Sequence, residues 1–357
     1  MKERLQRLRA GMEQAGADAF FSLSPPANAW LTGFDGTTSA VVVTRQEAQF
    51  LCDFRYTEQA GDQVRDFEVA EVAGSLAQRV GDRLRELSAS VAVYDPGVHT
   101  VAQLEQVRES YAGSCKPDAD IVSVPRMVKT PAEIDCIRRA SQLAEGVLAD
   151  VLKDLDGGQT EAEVAARIEY EYKLRGAQGA SFDSIVLFGP RSSLPHGKPG
   201  NKRPEEGDVV LIDMGCMLGG YCSDLTRTFV FGTIPGSWFE EIYAVTLNAQ
   251  QAALGAVRPG AGCAEVDAVA RDRIRDAGFG DHFGHGLGHG VGLEVHEAPR
   301  LGKQSNTLLV PGMVVTVEPG IYLPGKGGVR IEDLVVVTDD GCEVLTQSSK
   351  ELKVLAA

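Results

Sequence analysis

The chain contains 357 residues, of which 43% are hydrophobic, and carries a formal net charge of −15. This length accommodates two domains with a core in each, and the acidic balance argues against nucleic acid or an anionic membrane as a partner. No apolar run approaches membrane-spanning length, and the first residues form a charged amphipathic pattern rather than a signal peptide, so we expect a cytoplasmic protein. The seven cysteines form an odd set without CxxC spacing, which favours reduced thiols.

Strand and helix patterns alternate along the first part of the chain. The sequence predicts helices over residues 1–15, 77–87 and 101–111, strands over 19–23, 41–43 and 50–52, and a turn over 24–26. This alternation indicates an α/β domain. Near residue 127 a boundary is expected, because Thr130 can cap and Pro131 can open a helix that extends to about Lys153. We therefore predict two domains, residues 1–126 and 127–357.

The first pair of candidate functional residues lies in residues 209–230, which are typical of two apolar strands around the turn residues Leu218, Gly219 and Gly220. A loop at Leu218-Gly219 would place Asp213 directly opposite Asp224. A loop at Gly219-Gly220 would leave the two carboxylates diagonal on the same face. In either register the two carboxylates converge.

A second hairpin is predicted over residues 314–337, where strand-like sequence flanks Pro324-Gly325-Lys326. A three-residue loop there places Glu318 across from Glu332. Like charges that face each other destabilise a sheet, and a half-buried pair should share a proton or be neutralised by a cation. Two such pairs in one domain indicate a bound cation.

Glycine occupies every even position from 284 to 292, around His285 and His289. Five glycines argue against a helix, because each costs roughly 1 kcal/mol relative to alanine in a helix interior. We predict an extended strand on which both histidines point the same way. His296 lies an odd number of residues beyond His289, so it needs a turn or a bulge to rejoin them.

The combined candidate ligands are four carboxylates and one imidazole: Asp213, Asp224, His289, Glu318 and Glu332. This oxygen-rich set suits Mn²⁺, Co²⁺ or Fe²⁺ and admits Zn²⁺. More carboxylates than one ion needs suggest a dinuclear centre. In such centres, with metals roughly 3.5 to 4 Å apart, a bridging hydroxide is the nucleophile of hydrolysis.

These residues occur within longer motifs. The motifs are Leu-Ile-Asp213-Met-Gly, Tyr221-Cys-Ser-Asp224-Leu-Thr-Arg-Thr, His285-Gly-Leu-Gly-His289-Gly-Val-Gly-Leu-Glu-Val-His296-Glu, Thr-Val-Glu318-Pro-Gly-Ile-Tyr and Val-Arg330-Ile-Glu332-Asp, with Leu-Pro-His196-Gly upstream. Their order resembles the proline-specific pita-bread metallopeptidases, prolidase and aminopeptidase P. Residues 28–34 and 53–56 resemble the amino-terminal domain of that family. The resemblance implies an α/β creatinase/prolidase-like domain followed by an α+β pita-bread domain.

The resemblance also implies roles for the ligands and for one acid–base group. The five candidate ligands would hold two divalent ions, with Mn²⁺ favoured, and Asp224 and Glu332 would bridge them. Glu318 would also carry a proton from the metal-bound water to the leaving proline nitrogen. His296 would support the developing oxyanion at the scissile carbonyl.

Three further residues would contact the substrate or its surroundings. His196, with a catalytic role, and His285, with a substrate-binding role, would line the proline side of the cleft. Arg330 would bind the substrate end or hold the region of Glu332. Family members are usually homodimers, so we expect a homodimer here.

The predicted reaction is hydrolysis of the bond before proline in short peptides with proline in second position. A dipeptidase must bind the free carboxylate at the end of an Xaa-Pro dipeptide, which requires a nearby cation. The motifs place no arginine besides Arg330 at the cleft, so we favour an Xaa-Pro aminopeptidase, with an Xaa-Pro dipeptidase as the alternative. A methionine aminopeptidase-like enzyme fits the motif around Arg330 less well, and a non-enzymatic paralogue would be expected to have lost ligands.

Overall fold

The structure, a computed structural model, describes residues 1–356 and divides into two compact units, Met1–Arg126 and Met127–Ala357. The amino-terminal unit has helices α1 (Lys2–Gln14), α2 (Pro25–Thr32), α3 (Thr57–Gln63), α4 (Leu76–Glu86), α5 (Val101–Ser110) and α6 (Asp120–Met127). Its strands are β1 (Ala19–Ser22), β2 (Ala40–Thr44), β3 (Ala48–Cys52), β4 (Glu68–Glu71), β5 (Val91–Tyr94) and β6 (Ser114–Pro117). These elements confirm the predicted alternation of strand and helix.

One mixed sheet of six strands, in the order β4-β3-β2-β1-β5-β6, organises this unit. β1 pairs antiparallel with β2 and parallel with β5, so the sheet combines a meander with crossover connections. Phe21 and Val42 on the sheet pack with Val80 and Leu84 of α4 in one buried cluster. A fully buried side chain of this size contributes roughly 1.5–3 kcal/mol, so the sheet and its helices are stabilised together.

The turn predicted over residues 24–26 is instead the start of α2. Ser24 has the extended backbone of an N-cap residue, and Pro25 occupies the first helical position. Proline suits that position because its fixed φ is already helical and its missing N–H would have no partner there. The helix ends at Gly33, whose φ of 80° lies in the left-handed region.

The second unit has helices α7 (Pro131–Lys153), α8 (Glu161–Leu174), α9 (Ser237–Ala256) and α10 (Cys263–Asp276), with 3₁₀ turns at Gly189–Ser193 and Gly280–His282. Its strands are β7 (Gly179–Ala180), β8 (Ile185–Phe188), β9 (Val209–Met214), β10 (Cys216–Leu218), β11 (Tyr221–Cys222), β12 (Leu225–Phe231), β13 (Gly288–Gly290), β14 (Glu297–Leu301), β15 (Val314–Val317), β16 (Gly320–Leu323), β17 (Gly327–Arg330), β18 (Asp333–Val337), β19 (Cys342–Val344) and β20 (Val354–Leu355). Two helices followed by strands occur twice in succession in this unit.

The predicted start of α7 is confirmed in detail. The Thr130 hydroxyl accepts from the backbone N–H of Glu133, and the Glu133 carboxylate accepts from the N–H of Thr130. This reciprocal capping box satisfies two N–H groups that the helix would otherwise leave unpaired. Thr160 and Glu163 make the same arrangement at the start of α8.

The first hairpin of the site adopts the second of the two predicted registers. Leu218 pairs with Tyr221, so the loop is Gly219-Gly220, with φ values of 60° and 80°. Positive φ at both positions is the requirement of a two-residue type I′ turn, and glycine meets it without strain. The same register continues to the pairing of Asp213 with Thr226, which leaves Asp213 and Asp224 diagonal on one face.

The second hairpin keeps one register throughout, as the three-residue loop predicts. Leu323 pairs with Gly327 beside the loop, and Val317 pairs with Asp333 at the far end. This register sets Glu318 opposite Glu332, in the interval between the paired segments. The ladder is interrupted there because Pro319 has no N–H to donate.

The sheets that carry these hairpins lie on helices. The four-stranded sheet β20-β12-β9-β8 packs with α7 and α8 in one buried cluster, and β15, β17 and β18 pack with α9 and α10 in another. α10 buries Val266, Ala270 and Ile274, four residues apart. All seven cysteines are free, and no helix within residues 1–356 has the length and apolarity that a membrane span requires.

Candidate metal centre

The two hairpins and the glycine-rich segment are joined by the backbones of two ligand-bearing residues, Glu332 and Glu318. Glu332 donates its N–H to the carbonyl of Thr226 on the first hairpin at 3.2 Å. Glu318 donates its N–H to the carbonyl of Leu287 in the glycine-rich segment at 2.9 Å. The break in the second hairpin ladder thus frees the groups that join the three parts of the site.

The extended strand predicted around the histidines is shorter than expected. Only residues Gly288–Gly290 form a strand, and residues 292–296 bend. The glycines permit close approach of neighbouring backbone: a Cβ on Gly288 would lie 2.0 Å from the carbonyl oxygen of Thr316. The predicted strand was too long because the alternating glycines allow close packing of neighbouring backbone here and do not continue a regular ladder of strand hydrogen bonds.

Ligand atoms of Asp224, His289 and Glu332 lie within 4.8 Å of one another, a spacing that can hold a metal ion. His289 Nε2 lies 3.6 Å from Asp224 Oδ2 and 3.3 Å from Glu318 Oε1. Asp213 acts electrostatically on Asp224, Glu332 and His289. The structure therefore brings together all five residues proposed as ligands.

The orientation of His289 suits a ligand. Its Nδ1 lies 3.1 Å from the carbonyl oxygen of Gly290, which can only accept a hydrogen bond. Nδ1 therefore donates, and Nε2 faces the carboxylates. A backbone acceptor on the far nitrogen is the usual way in which a protein sets the tautomer of a metal-binding histidine.

Burial and mutual repulsion raise the carboxylate pKa values. Burial raises the pKa of Asp224 and of Glu332 well above the ordinary value, and the neighbouring carboxylates raise them further. Burial also raises the pKa of Asp213, although Arg330 opposes the shift. For Glu318 burial acts in the same direction, but hydrogen bonding and charge attraction from His289 outweigh it and lower the pKa. The same attraction outweighs burial at His289 and raises its pKa.

This donor set fits divalent metal ions. Asp213 Oδ1 is buried and has no hydrogen-bond partner among the described residues. A buried, unpaired carboxylate oxygen beside three more carboxylates is costly unless a cation compensates it. Hard oxygen donors with one imidazole match Mn²⁺, Fe²⁺, Co²⁺ or Zn²⁺.

The other three histidines proposed for the site surround the carboxylates. The bend over residues 292–296 and a register shift in β13 bring His296 back to His289, with ring centroids 4.3 Å apart, which confirms the predicted irregularity. His285 Nε2 lies 2.9 Å from the Tyr322 hydroxyl. His196, in the turn after the first 3₁₀ helix, interacts electrostatically with His285 and His296.

Arg330 is committed to the protein rather than free for a substrate. Its side chain is 3% exposed, and it donates to Asp213 Oδ2 at 2.6 Å, to the Tyr322 hydroxyl at 2.9 Å and to the Thr226 hydroxyl at 3.1 Å. Thr226 in turn donates to Glu332 at 2.8 Å. These contacts favour the expectation that Arg330 holds the ligands and disfavour its assignment as substrate-binding.

Two residues of this network, Thr226 and Tyr322, were not singled out as functional from the sequence. Both lie inside the motifs that carry the ligands, so their position was the available signal. Burial raises the pKa of Tyr322 to about 12, which keeps its hydroxyl protonated between Arg330 and His285. The Tyr322 hydroxyl contacts both His285 and Arg330, and Arg330 donates to the ligand Asp213. Tyr322 therefore links His285 to that ligand.

Arg300 is a third residue that was not singled out from the sequence. It is exposed on β14 and pairs with His289 across the strands, so that both side chains stand on one face of the sheet. The pKa of His296 is lowered by burial first and by charge repulsion from His289 and Arg300 as well. Arg300 lies outside the motifs that carry the ligands, so the motifs alone did not place this further arginine on the His289 face of the sheet. The bulge between His289 and Gly290 concealed this pairing, because register cannot be counted through a bulge.

Comparison with known proteins assigns both units. Residues 135–339 match the model of metallopeptidase family M24, and residues 4–130 match the creatinase/prolidase N-terminal domain. The chain belongs to metallopeptidase family M24, in its proline-specific pita-bread branch.

Several relatives match over the full length. An Xaa-Pro dipeptidase of Pyrococcus furiosus is 37% identical over 99% of this chain and 100% of its own. The structure of an Xaa-Pro dipeptidase from Bacillus anthracis superposes with a TM-score of 0.96, at 40% identity over 99% of both chains. An X-Pro aminopeptidase from Thermotoga maritima superposes with a TM-score of 0.88, at 35% identity over 97% of this chain and 100% of that chain. These names support the dipeptidase alternative better than the aminopeptidase that the sequence analysis favoured.

Proposed function

We propose that this protein is an Xaa-Pro dipeptidase that hydrolyses the bond before proline with two divalent ions, Mn²⁺ in preference to Co²⁺, Zn²⁺ or Fe²⁺. The observation that carries the proposal is Arg300, an exposed guanidinium that stands on the same face as His289 and repels positive charge on His296. An Xaa-Pro dipeptide carries its free carboxylate on the proline, the residue that follows the scissile bond. Guanidinium is well suited to bind it, because its planar N–H groups match the two carboxylate oxygens.

The metal ions would be held by Asp213, Asp224, His289, Glu318 and Glu332. When bound, they supply Lewis acidity and lower the pKa of water so that a nucleophile exists at neutral pH. Four carboxylates are enough for two ions with shared ligands.

Glu318 is the group of the site placed to move a proton. Its pKa is lowered by hydrogen bonding and charge attraction from His289, so it is ionised and can accept a proton from water. The proton then passes from Glu318 to the proline nitrogen as the peptide bond breaks. The Thr316 hydroxyl donates to Glu318 Oε1 at 3.2 Å and also accepts from the N–H of His289, which holds the carboxylate beside the imidazole.

His296 and His196 would bind the reacting part of the substrate. Burial lowers the pKa of His296, and repulsion from His289 lowers it further, so its ring is neutral at neutral pH. A neutral imidazole N–H can still donate to the scissile carbonyl as negative charge develops there. His196 would contact the proline side of the substrate together with His285.

An Xaa-Pro aminopeptidase is the second candidate, because the chain also superposes on the Thermotoga maritima X-Pro aminopeptidase over nearly its full length. The two activities differ in the group that the substrate carries after proline. A tripeptide places a peptide group where the dipeptide has a carboxylate, so it gains less from Arg300. The proposal retains a homodimer and a cytoplasmic location, which rest on the family resemblance and on the composition of the chain.

The deciding experiment compares amino-acid release by the Mn²⁺-loaded protein from an Xaa-Pro dipeptide, its C-terminal amide and an Xaa-Pro-Yaa tripeptide, with an Xaa-Ala dipeptide as control. We expect the free dipeptide to be cleaved fastest. In Arg300→Gln the KM for the dipeptide should rise while Mn²⁺ affinity and cleavage of the amide stay unchanged. Faster cleavage of the tripeptide would establish the aminopeptidase instead, and cleavage of the Xaa-Ala peptide alone would refute proline specificity.

A further inference from the structure

Glu161 is a buried carboxylate outside all of the motifs described above. It is the first residue of α8, and its side chain is 0% exposed. Its oxygens accept from the backbone N–H of Phe188 at 2.8 Å, from the backbone N–H of Gly200 at 2.8 Å, and from Arg191 Nε at 2.9 and 3.0 Å. A buried charge is tolerated only with such partners, so the contacts define its role.

The donors to Glu161 all lie within residues 188–200. We call residues 189–200 the His196 loop. Phe188 immediately precedes this loop, Arg191 lies in its first turn, and Gly200 is its last residue. One carboxylate therefore joins both ends of the loop, and Arg191 adds a contact of 2.6 Å to the carbonyl of Lys198.

The other side of the His196 loop bonds to the hairpin that carries Arg330. The Ser192 hydroxyl accepts from the N–H of Gly328 at 2.9 Å, and Arg330 donates to the carbonyl of Pro195 at 3.3 Å. His196 itself is exposed, so its position depends on the neighbours that hold the loop. The loop is thus fixed at its ends by Glu161 and at its centre by the hairpin.

We propose that Glu161 is a positioning residue for His196. By holding both ends of the His196 loop, it keeps the imidazole at the distance from His285 and His296 that substrate binding requires. A carboxylate suits this task because both of its oxygens accept, whereas an amide would turn an NH₂ group toward at least one donor. The proposal deepens the proposed peptidase function and rests on it for the role of His196.

The test begins with Glu161→Gln in the full-length, Mn²⁺-loaded protein. We expect kcat/KM for an Xaa-Pro dipeptide to fall by about 10- to 100-fold, the range for a misplaced catalytic group, with Mn²⁺ affinity unchanged. Glu163→Gln is the matched control, because this residue lies in the same helix turn but its side chain is 61% exposed. It should retain the activity of the original protein.

A double-mutant cycle separates positioning from general structural damage. In a His196→Ala background, Glu161→Gln should cause no further loss of kcat/KM, because the two residues act as one unit. An undiminished loss in that background, or a parallel loss of Mn²⁺ affinity, would overturn the proposal. If Glu161→Gln does not fold, Arg191→Met takes its place, and a smaller loss in the same direction is expected.

Hydrogen exchange supplies a readout that needs no substrate. Amides of the His196 loop should exchange faster in Glu161→Gln than in Glu163→Gln. Unchanged exchange would refute the role of Glu161 whatever the enzyme cleaves. Failure of the unmodified protein to cleave Xaa-Pro peptides would refute the proposed function, while the exchange result would still decide whether Glu161 holds the loop.

Discussion

Substituting Asp333 by asparagine should destabilise the second unit strongly. Asp333 directly succeeds the candidate ligand Glu332 in the chain, and its side chain is 0% exposed. It accepts from Arg227 at 2.8 Å, from Gln250 at 2.8 Å and from Thr346 at 3.0 Å. Its pairing with Arg227, which is 1% exposed, joins the strand β12 to the start of β18, directly after the ligand Glu332.

The expected loss in the free energy of unfolding depends on the positive charge of Arg227, which remains buried in the variant. Asp333→Asn leaves the Arg227 guanidinium buried without its counterion, and breaking a buried ion pair in this way costs about 3–5 kcal/mol. Arg227 would keep its bonds to the carbonyls of Thr226, Ser348 and Ser349, which places the loss within this range rather than above it. A domain is typically stable by about 5–15 kcal/mol, so the unit should remain folded at 25 °C.

The assay is urea unfolding of the metal-free protein, monitored by hydrogen exchange in peptides of the second unit so that the amino-terminal unit does not contribute. Lys350→Met is the matched control, because Lys350 also pairs with Asp333 but its side chain is 24% exposed. Lys350→Met should lower the free energy of unfolding by about 1 kcal/mol or less, because partly exposed ion pairs contribute little to stability. A loss below about 1 kcal/mol in Asp333→Asn would contradict the reasoning that Arg227 depends on this carboxylate.

Three further outcomes are expected. Mn²⁺ binding should release protons and strengthen as pH rises, because the raised pKa values of Asp224 and Glu332 keep protons on the metal-free site. Calorimetry in two buffers of different ionisation enthalpy measures the number of protons released. Binding without proton release would contradict these pKa shifts. Gly288→Ala should abolish metal uptake, since its Cβ would lie 2.0 Å from a backbone oxygen, whereas Gly284→Ala, with nothing within 4 Å, should not. Burial lowers the pKa of His99 below its usual 6.5, so the unfolded chain binds a proton at a higher pH than the folded chain. The amino-terminal unit should therefore lose stability as pH falls below about 6.5. In thermal unfolding, His99→Gln should remove this pH dependence of stability.

The sequence by itself determined the elements whose signals are local. The capping box at Thr130 and Glu133 is a contact between residues three apart, and the register of the second hairpin results from loop length and the period of two along a strand. For the first hairpin the sequence allowed two registers, and both brought Asp213 and Asp224 together. The positions of the four carboxylates in those hairpins therefore indicated convergence before any contact was known. The irregular return of His296 to His289 was also indicated, because an odd separation cannot be met by a regular strand.

Tertiary structure alone decided the partners of these residues. Arg330 is buried against Asp213 and Tyr322, Arg300 stands beside His289 through a bulged pairing, and Glu161 reaches both ends of a loop that begins far along the chain. Each contact joins segments with no shared local pattern. Such contacts depend on how separate elements pack, and a charged side chain finds its counterion or acceptor only after packing has removed water from around it.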